Sequence, residues 1–172
     1  MWFFVVGDLI IFGVYFLAYM YYRGQDPELF LQSQAKLNLD VGALNTIVLL
    51  TSSLFVALGT SAARAGRTAD GARLFAGALA LGVAFPVLKL FEYVPEIVDG
   101  STPGTNLFFM YYFVMTGLHL CHVLLGLVIL SFVIRNLRGP TPKMTFVETG
   151  ATYWHMVDVL WLVLFALLYV MR

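Results

Sequence analysis

Apolar residues dominate five long stretches, roughly 1–22, 41–63, 74–98, 107–134 and 149–171, and polar or charged residues are crowded into the pieces between them. A helix needs about 20 mostly apolar residues to cross a bilayer, and each stretch meets that length. The spacing therefore predicts an all-α, polytopic membrane helix bundle with five transmembrane helices, arranged as one membrane domain over 1–172. The connecting pieces 23–40, 64–73, 99–106 and 135–148 carry glycine, proline or charge clusters, as turns do. In the first of them Asp26-Pro27-Glu28 supplies an N-cap, a proline at the first helical position and an acid in the first turn, which predicts a short interfacial helix. The first 22 residues lack a basic n-region and a small-residue cleavage site, so they read as a retained span rather than a secretory signal. Met1 sits close to the expected membrane surface, which leaves room for further residues upstream.

Composition strengthens the membrane reading. Of 172 residues, 60% are hydrophobic and 12% are Asp, Glu, Lys or Arg, against roughly 45–50% and about 25% in soluble domains. Ten basic and ten acidic residues balance, leaving no basic face for nucleic-acid phosphates. Nucleic acid is excluded as a partner. The single cysteine, Cys121, excludes an internal disulfide framework and any cysteine-rich metal site. Basic residues mark the cytoplasmic ends of spans. Loops 64–73 and 135–148 hold six of them: Arg64, Arg67, Arg73, Arg135, Arg138 and Lys143. The opposite side holds three, Arg23, Lys36 and Arg172, together with Asp26, Glu28, Asp40 and Asp99. The N-terminus is expected inside and the C-terminus outside, in a bacterial cytoplasmic membrane.

Ionisable residues within the spans are the candidates for function, because each costs about 2.5–3.5 kcal/mol at mid-membrane. They are Asp8 in span one, Lys89, Glu92 and Glu96 in span three, His119 and His122 in span four, and His155 and Asp158 in span five, with Glu148 at the mouth of span five. Lys89 and Glu92 are three apart and can neutralise one another. His155 and Asp158 share that spacing, which allows imidazole to donate to carboxylate. His119 and His122 are expected to face one way, and Asp8 either to meet a group on another helix or to be protonated by desolvation. Leu167 is expected to face lipid. Pro86 should kink span three, while Ala78 and Gly82 should let helices approach closely. A di-iron carboxylate bundle requires Glu-x-x-His motifs, and the sequence has none. A haem held by histidines of spans four and five, giving a self-contained redox protein, and a proton-conducting carrier are the alternative readings; no internal repeat supports a carrier.

Span five carries Tyr153-Trp154-His155-Met156-Val157-Asp158-Val159-Leu160-Trp161, and span four carries Thr116-Gly117-Leu118-His119 followed by His122 and Gly126. Taken in order, the spans resemble subunit III of the haem-copper oxidases, and the span-five segment is similar to that family's aromatic-Trp-His-Phe-x-Asp-x-x-Trp. Thr116-Gly117-Leu118-His119-Leu120-Cys121-His122-Val123, with Gly126, resembles Thr-Gly-x-His-x-x-His-Val-x-x-Gly. Leu44-Asn45-Thr46 and Glu92-Tyr93 match further pieces, and Asp8 stands where the family usually has a buried glutamate. The resemblance implies a non-catalytic accessory role: no haem or metal in this chain, haem and copper in a partner catalytic subunit, phospholipid held in a cleft, and support for proton supply and stability. It places Asp8, Glu92, His119, His122, Glu148, His155 and Asp158 in an intramembrane polar network or in contacts with lipid and subunits. Long forms have seven helices, and this chain lacks the first two. Five-helix forms accompany quinol oxidases and nitric oxide reductase. Leu31-Gln32-Ser33-Gln34, and Pro103-Gly104-Thr105-Asn106 leading to Phe108-Phe109, resemble the reductase-associated group most.

Overall fold

The computed structural model describes residues 2–98 and 100–171, with side chains from Val5 onward. Met1 at the membrane surface, and Asp99 and Arg172 in the charge balance, lie outside the described residues. The described residues form six α-helices and no strand: α1 (Trp2–Gln25), α2 (Pro27–Gln34), α3 (Leu39–Arg64), α4 (Thr68–Val98), α5 (Leu107–Leu137) and α6 (Met144–Phe165). Five are long and apolar enough to span a membrane. The chain is an integral membrane protein. The short helix expected after Asp26 is α2, and the Asp26 carboxylate accepts from Leu29 N at 3.2 Å. Asn38 caps α3 and Asn106 caps α5 in the same way, because a short side-chain oxygen satisfies amide groups that the first helical turn leaves without carbonyl partners.

Helices α3 and α4 form a tight antiparallel pair, and α5 and α6 complete a four-helix arrangement in which α4 packs on α5, α5 on α6 and α6 on α3. The α3–α4 turn needs a left-handed residue and has one, Gly66 at φ 78°. Small residues set the separation, since a Cβ on Gly71 would lie 3.0 Å from the carbonyl of Gly59. Water-driven burial does not hold spans together in lipid, so contact packing and interhelical hydrogen bonds must do so. Trp154 of α6 fills the space above two glycines, with a Cβ on Gly82 of α4 or Gly126 of α5 falling within 2.9 Å of its ring. Ser52 Oγ donates to the carbonyl of Ala78 at 2.8 Å, where the sequence places the small pair Ala78 and Gly82. Trp161 Nε1 donates to Thr46 Oγ1 at 3.0 Å. Helix α4 continues through Pro86 and Pro95 from Thr68 to Val98, without an interruption at either proline.

Helix α1 is attached more lightly, touching α5 and α6, and α2 folds beneath it onto α5. Its outward face, with Leu17 at 73% exposure, is apolar, as are the outer faces of α4 at Phe91 and α5 at Leu125. The end of α6 departs from expectation. Its last turn, Ala166–Val170, widens into a π-helix, and Leu167, Leu168 and Tyr169 are all buried. Leu167 therefore faces the bundle and not lipid: a wider turn advances each residue by a smaller angle, so consecutive side chains can point inward.

Candidate functional site

Two polar assemblies lie inside the spans, joined through α6. The first is centred on Lys89, which has no solvent exposure. Its ammonium donates to Glu92 Oε2 at 2.8 Å, to Tyr169 Oη at 2.7 Å and to Tyr112 Oη at 3.2 Å. Tyr112 donates to Glu92 Oε1 at 3.0 Å, and Tyr169 donates to the same oxygen. Four rings surround the cation, those of Tyr93, Tyr112, Trp161 and Tyr169, with centroids 5.0 to 5.5 Å from Nζ. The expected Lys89–Glu92 pair is present, and three helices contribute to its surroundings. Tyr112 and Tyr169 carry no sequence signal, the latter because only the π-helical turn aims it inward.

The second assembly follows α6 from its mouth toward the centre of the bundle. Glu148 accepts from Arg64 Nε of α3 at 2.8 Å, at the end of both spans. One turn deeper Thr152, and then His155, face the space between α3 and α6. His155 Nδ1 lies 2.6 Å from Ser53 Oγ, so the imidazole bonds across to α3 and not to Asp158 along its own helix. Equal spacing on a helix brings two side chains to one face without directing both at the same atom. Asp158 is 4% exposed and neither carboxylate oxygen has a hydrogen-bond partner. Ser53 is its polar neighbour, without a hydrogen bond of ordinary geometry between them.

His119 and His122 diverge, against expectation. His119 is fully buried, edge-on to Phe85 of α4 and tilted on Trp161 of α6, and neither ring nitrogen has a hydrogen-bond partner. His122 turns to α1. Its Nδ1 donates to the carbonyl of Leu118 at 2.7 Å, and its Nε2 lies 3.4 Å from Asp8 Oδ1. Three residues advance a helix by about 300°, so the two rings are offset by roughly 60°, enough to choose different neighbouring helices. Asp8 meets a group on another helix as expected.

Thus the three histidines are turned to different surroundings, α4 and α6 for His119, α1 for His122, and α3 for His155. Among the described residues no group of three His, Cys, Asp or Glu side chains is placed to hold a metal. The arrangement can link helices, hold protons and present polar groups to a groove along α6. Sequence reasoning missed Ser53, Arg64, Tyr112 and Tyr169 as partners. For Arg64 and Glu148 a signal existed, opposite charges at the ends of spans on the same membrane side.

The sequence model of the family described as cytochrome c oxidase subunit III matches residues 1–172. The chain is 34% identical to cytochrome c oxidase subunit 3 of Synechocystis sp., over 98% of this chain and 72% of that protein. It is 31% identical to cytochrome c oxidase subunit 3 of Thermostichus vulcanus, over 98% of this chain and 84% of that protein. A heme-copper oxidase subunit I+III of Aeropyrum pernix is 26% identical over 98% of this chain and 22% of its own length. A helical membrane bundle matched from end to end, with two such relatives, establishes that the chain belongs to the cytochrome c oxidase subunit III family, the accessory subunits of haem-copper oxidases.

Proposed function

We propose that this chain is a single membrane domain that packs on the catalytic subunit of a haem-copper respiratory complex, binds phospholipid, and supports proton supply and the stability of that complex. Haem and copper belong to the partner, and this chain carries out no chemistry on the gas. The observation that supports the lipid role is a groove along α6, flanked by α1 on one side and α3 on the other. One hollow of about 290 Å³ is polar and lined by Arg64, Glu148, Thr152 and His155. A second, of about 270 Å³, shares Thr152 and His155 and is otherwise apolar, with Val5, Leu9, Met156 and Val159. Polar at the span end and apolar toward mid-membrane, the groove matches the two ends of a phospholipid. Behind it, Glu92 through Tyr112 and Tyr169, and Asp8 through His122, serve as interhelical polar contacts, and His119 and Asp158 are buried polar groups without hydrogen-bond partners. The name of the Aeropyrum pernix relative joins subunits I and III, which supports packing on subunit I.

The basic loops support a cytoplasmic N-terminus in a bacterial inner membrane. The names of the relatives support an oxygen-reducing partner, whereas the segments around Leu31–Gln34 and Pro103–Asn106 support a nitric oxide reductase. One experiment tests both. The catalytic subunit is purified from cells with and without this chain, and oxygen and nitric oxide consumption are followed over many turnovers. Loss of yield or lifetime with an intact haem spectrum is expected, for one gas. Equal yield, rate and lifetime for both gases would overturn the accessory reading.

A further inference from the structure

We infer that Asp158 is a proton-loading carboxyl that exchanges with one membrane face only, the face bearing Arg64 and Glu148, through His155 and Ser53. The inference rests on the proposed support of proton supply and gives it a site and a direction. The polar hollow between α3 and α6 reaches His155, which is only half-buried. From there the chain of contacts runs His155 Nδ1 to Ser53 Oγ at 2.6 Å, and Ser53 neighbours the carboxyl of Asp158, whose two oxygens are buried and unpartnered. A buried polar atom without a partner is costly and uncommon, and a carboxyl that carries a proton gains a donor it can direct to Ser53.

Beyond Asp158 the series stops. One turn further along α6 the next polar atom, Trp161 Nε1, is a donor only and is bonded to Thr46, whose hydroxyl lies on α3. The charged and titratable groups of the surrounding helices are engaged elsewhere: Asp8 of α1 with His122 of α5, Lys89 with Glu92 within α4, and Arg64 of α3 with Glu148 of α6. His119 of α5 sits between Phe85 and Trp161. None of them forms a hydrogen bond or ion pair with Asp158. His119 and Asn45, the residue before Thr46 on α3, are buried without hydrogen-bond partners, so no hydrogen bond carries a proton onward from Asp158, and a proton that reaches it is returned by the side it came from.

The transfer balances without a further reactant. An imidazolium formed at the hollow gives its Nδ1 proton to Ser53 Oγ while the Ser53 hydroxyl proton passes to an oxygen of Asp158, leaving neutral imidazole, an intact serine and a carboxylic acid. The reverse step returns the proton.

The test uses the full chain, alone and with its catalytic partner, in proteoliposomes of known orientation, with infrared detection of the C=O stretch of a protonated carboxylic acid after a pH step on one side. A band that Asp158→Asn removes should rise when the Arg64/Glu148 side is acidified, and not when the opposite side is. Ser53→Ala, which keeps the carboxyl, should slow its rise about tenfold, corresponding to about 1.4 kcal/mol of added barrier. Absence of any band sensitive to Asp158→Asn, equal response from both faces, or an unchanged rate in Ser53→Ala would each overturn the inference. Should Asp158→Asn fail to fold, the sidedness and the Ser53→Ala rate decide alone. Retention of the haem-containing partner is scored in the same preparations, so a failed proton site with the partner retained leaves the accessory role standing.

Discussion

Replacing Glu92 by Gln keeps the shape of the side chain and removes the carboxylate that Lys89 contacts. The ammonium would then remain in a site with no solvent exposure, supported by two tyrosine hydroxyls and four ring faces. Breaking a buried pair from one side costs about 3–5 kcal/mol. Cation–π contacts worth about 0.5–2 kcal/mol each offset part of this, and Lys89 and Glu92, three apart on α4, stay neighbours when the helices separate. The low end, about 3 kcal/mol, is therefore expected for Glu92→Gln and likewise for Lys89→Met. In the double variant neither charge of the pair is stranded, and the glutamine amide would still offer an acceptor to Tyr112 and Tyr169. The pair of changes should cost less than either alone, a coupling of at least about 3 kcal/mol. Reversible unfolding in mixed micelles, titrated with a denaturing detergent and followed by tryptophan fluorescence, measures all four states. Additive single effects would mean that water reaches Lys89, and the reasoning from a dry ion pair would fail.

Three further outcomes follow from the packing. Gly126→Ala should destabilise the fold by about 1–3 kcal/mol through overpacking against Trp154, whereas Gly117→Ala on the same helix, with nothing within 4 Å of the added carbon, should be neutral or stabilising by up to about 1 kcal/mol; the same titration compares them. Trp161→Phe should cost about 0.5–1.5 kcal/mol more than Trp154→Phe, because Trp161 Nε1 donates to Thr46 while Trp154 Nε1 has no partner, and equal losses would make that hydrogen bond immaterial. A reporter active only in the cytoplasm should signal when inserted at Gly66 and stay silent at Gly104, and the opposite pattern would reverse the orientation.

Span number, the Asp26-capped helix and the list of intramembrane ionisable residues were legible in the sequence, because each depends on local composition. About 20 apolar residues mark a span wherever they occur, a short polar side chain before Pro27 starts a helix whatever packs on it, and Lys89–Glu92 pairs within one turn. The motifs around Trp154 and His119 also carried the family. What the tertiary structure alone decided is direction. His155 could reach Asp158 or a neighbouring helix, and Ser53 at 2.6 Å took it. His119 and His122 differ by roughly 60° of helix rotation, and only the positions of α1, α4 and α6 turn that offset into an aromatic pocket for one and Asp8 for the other. Tyr169 and Leu167 depend on a π-helical turn that apolar composition does not signal. Periodicity assigns a residue to a face of its helix, but the partner is set by which neighbours lie across that face, and in a bundle with apolar residues all round each span no sequence pattern distinguishes a neighbouring helix from lipid.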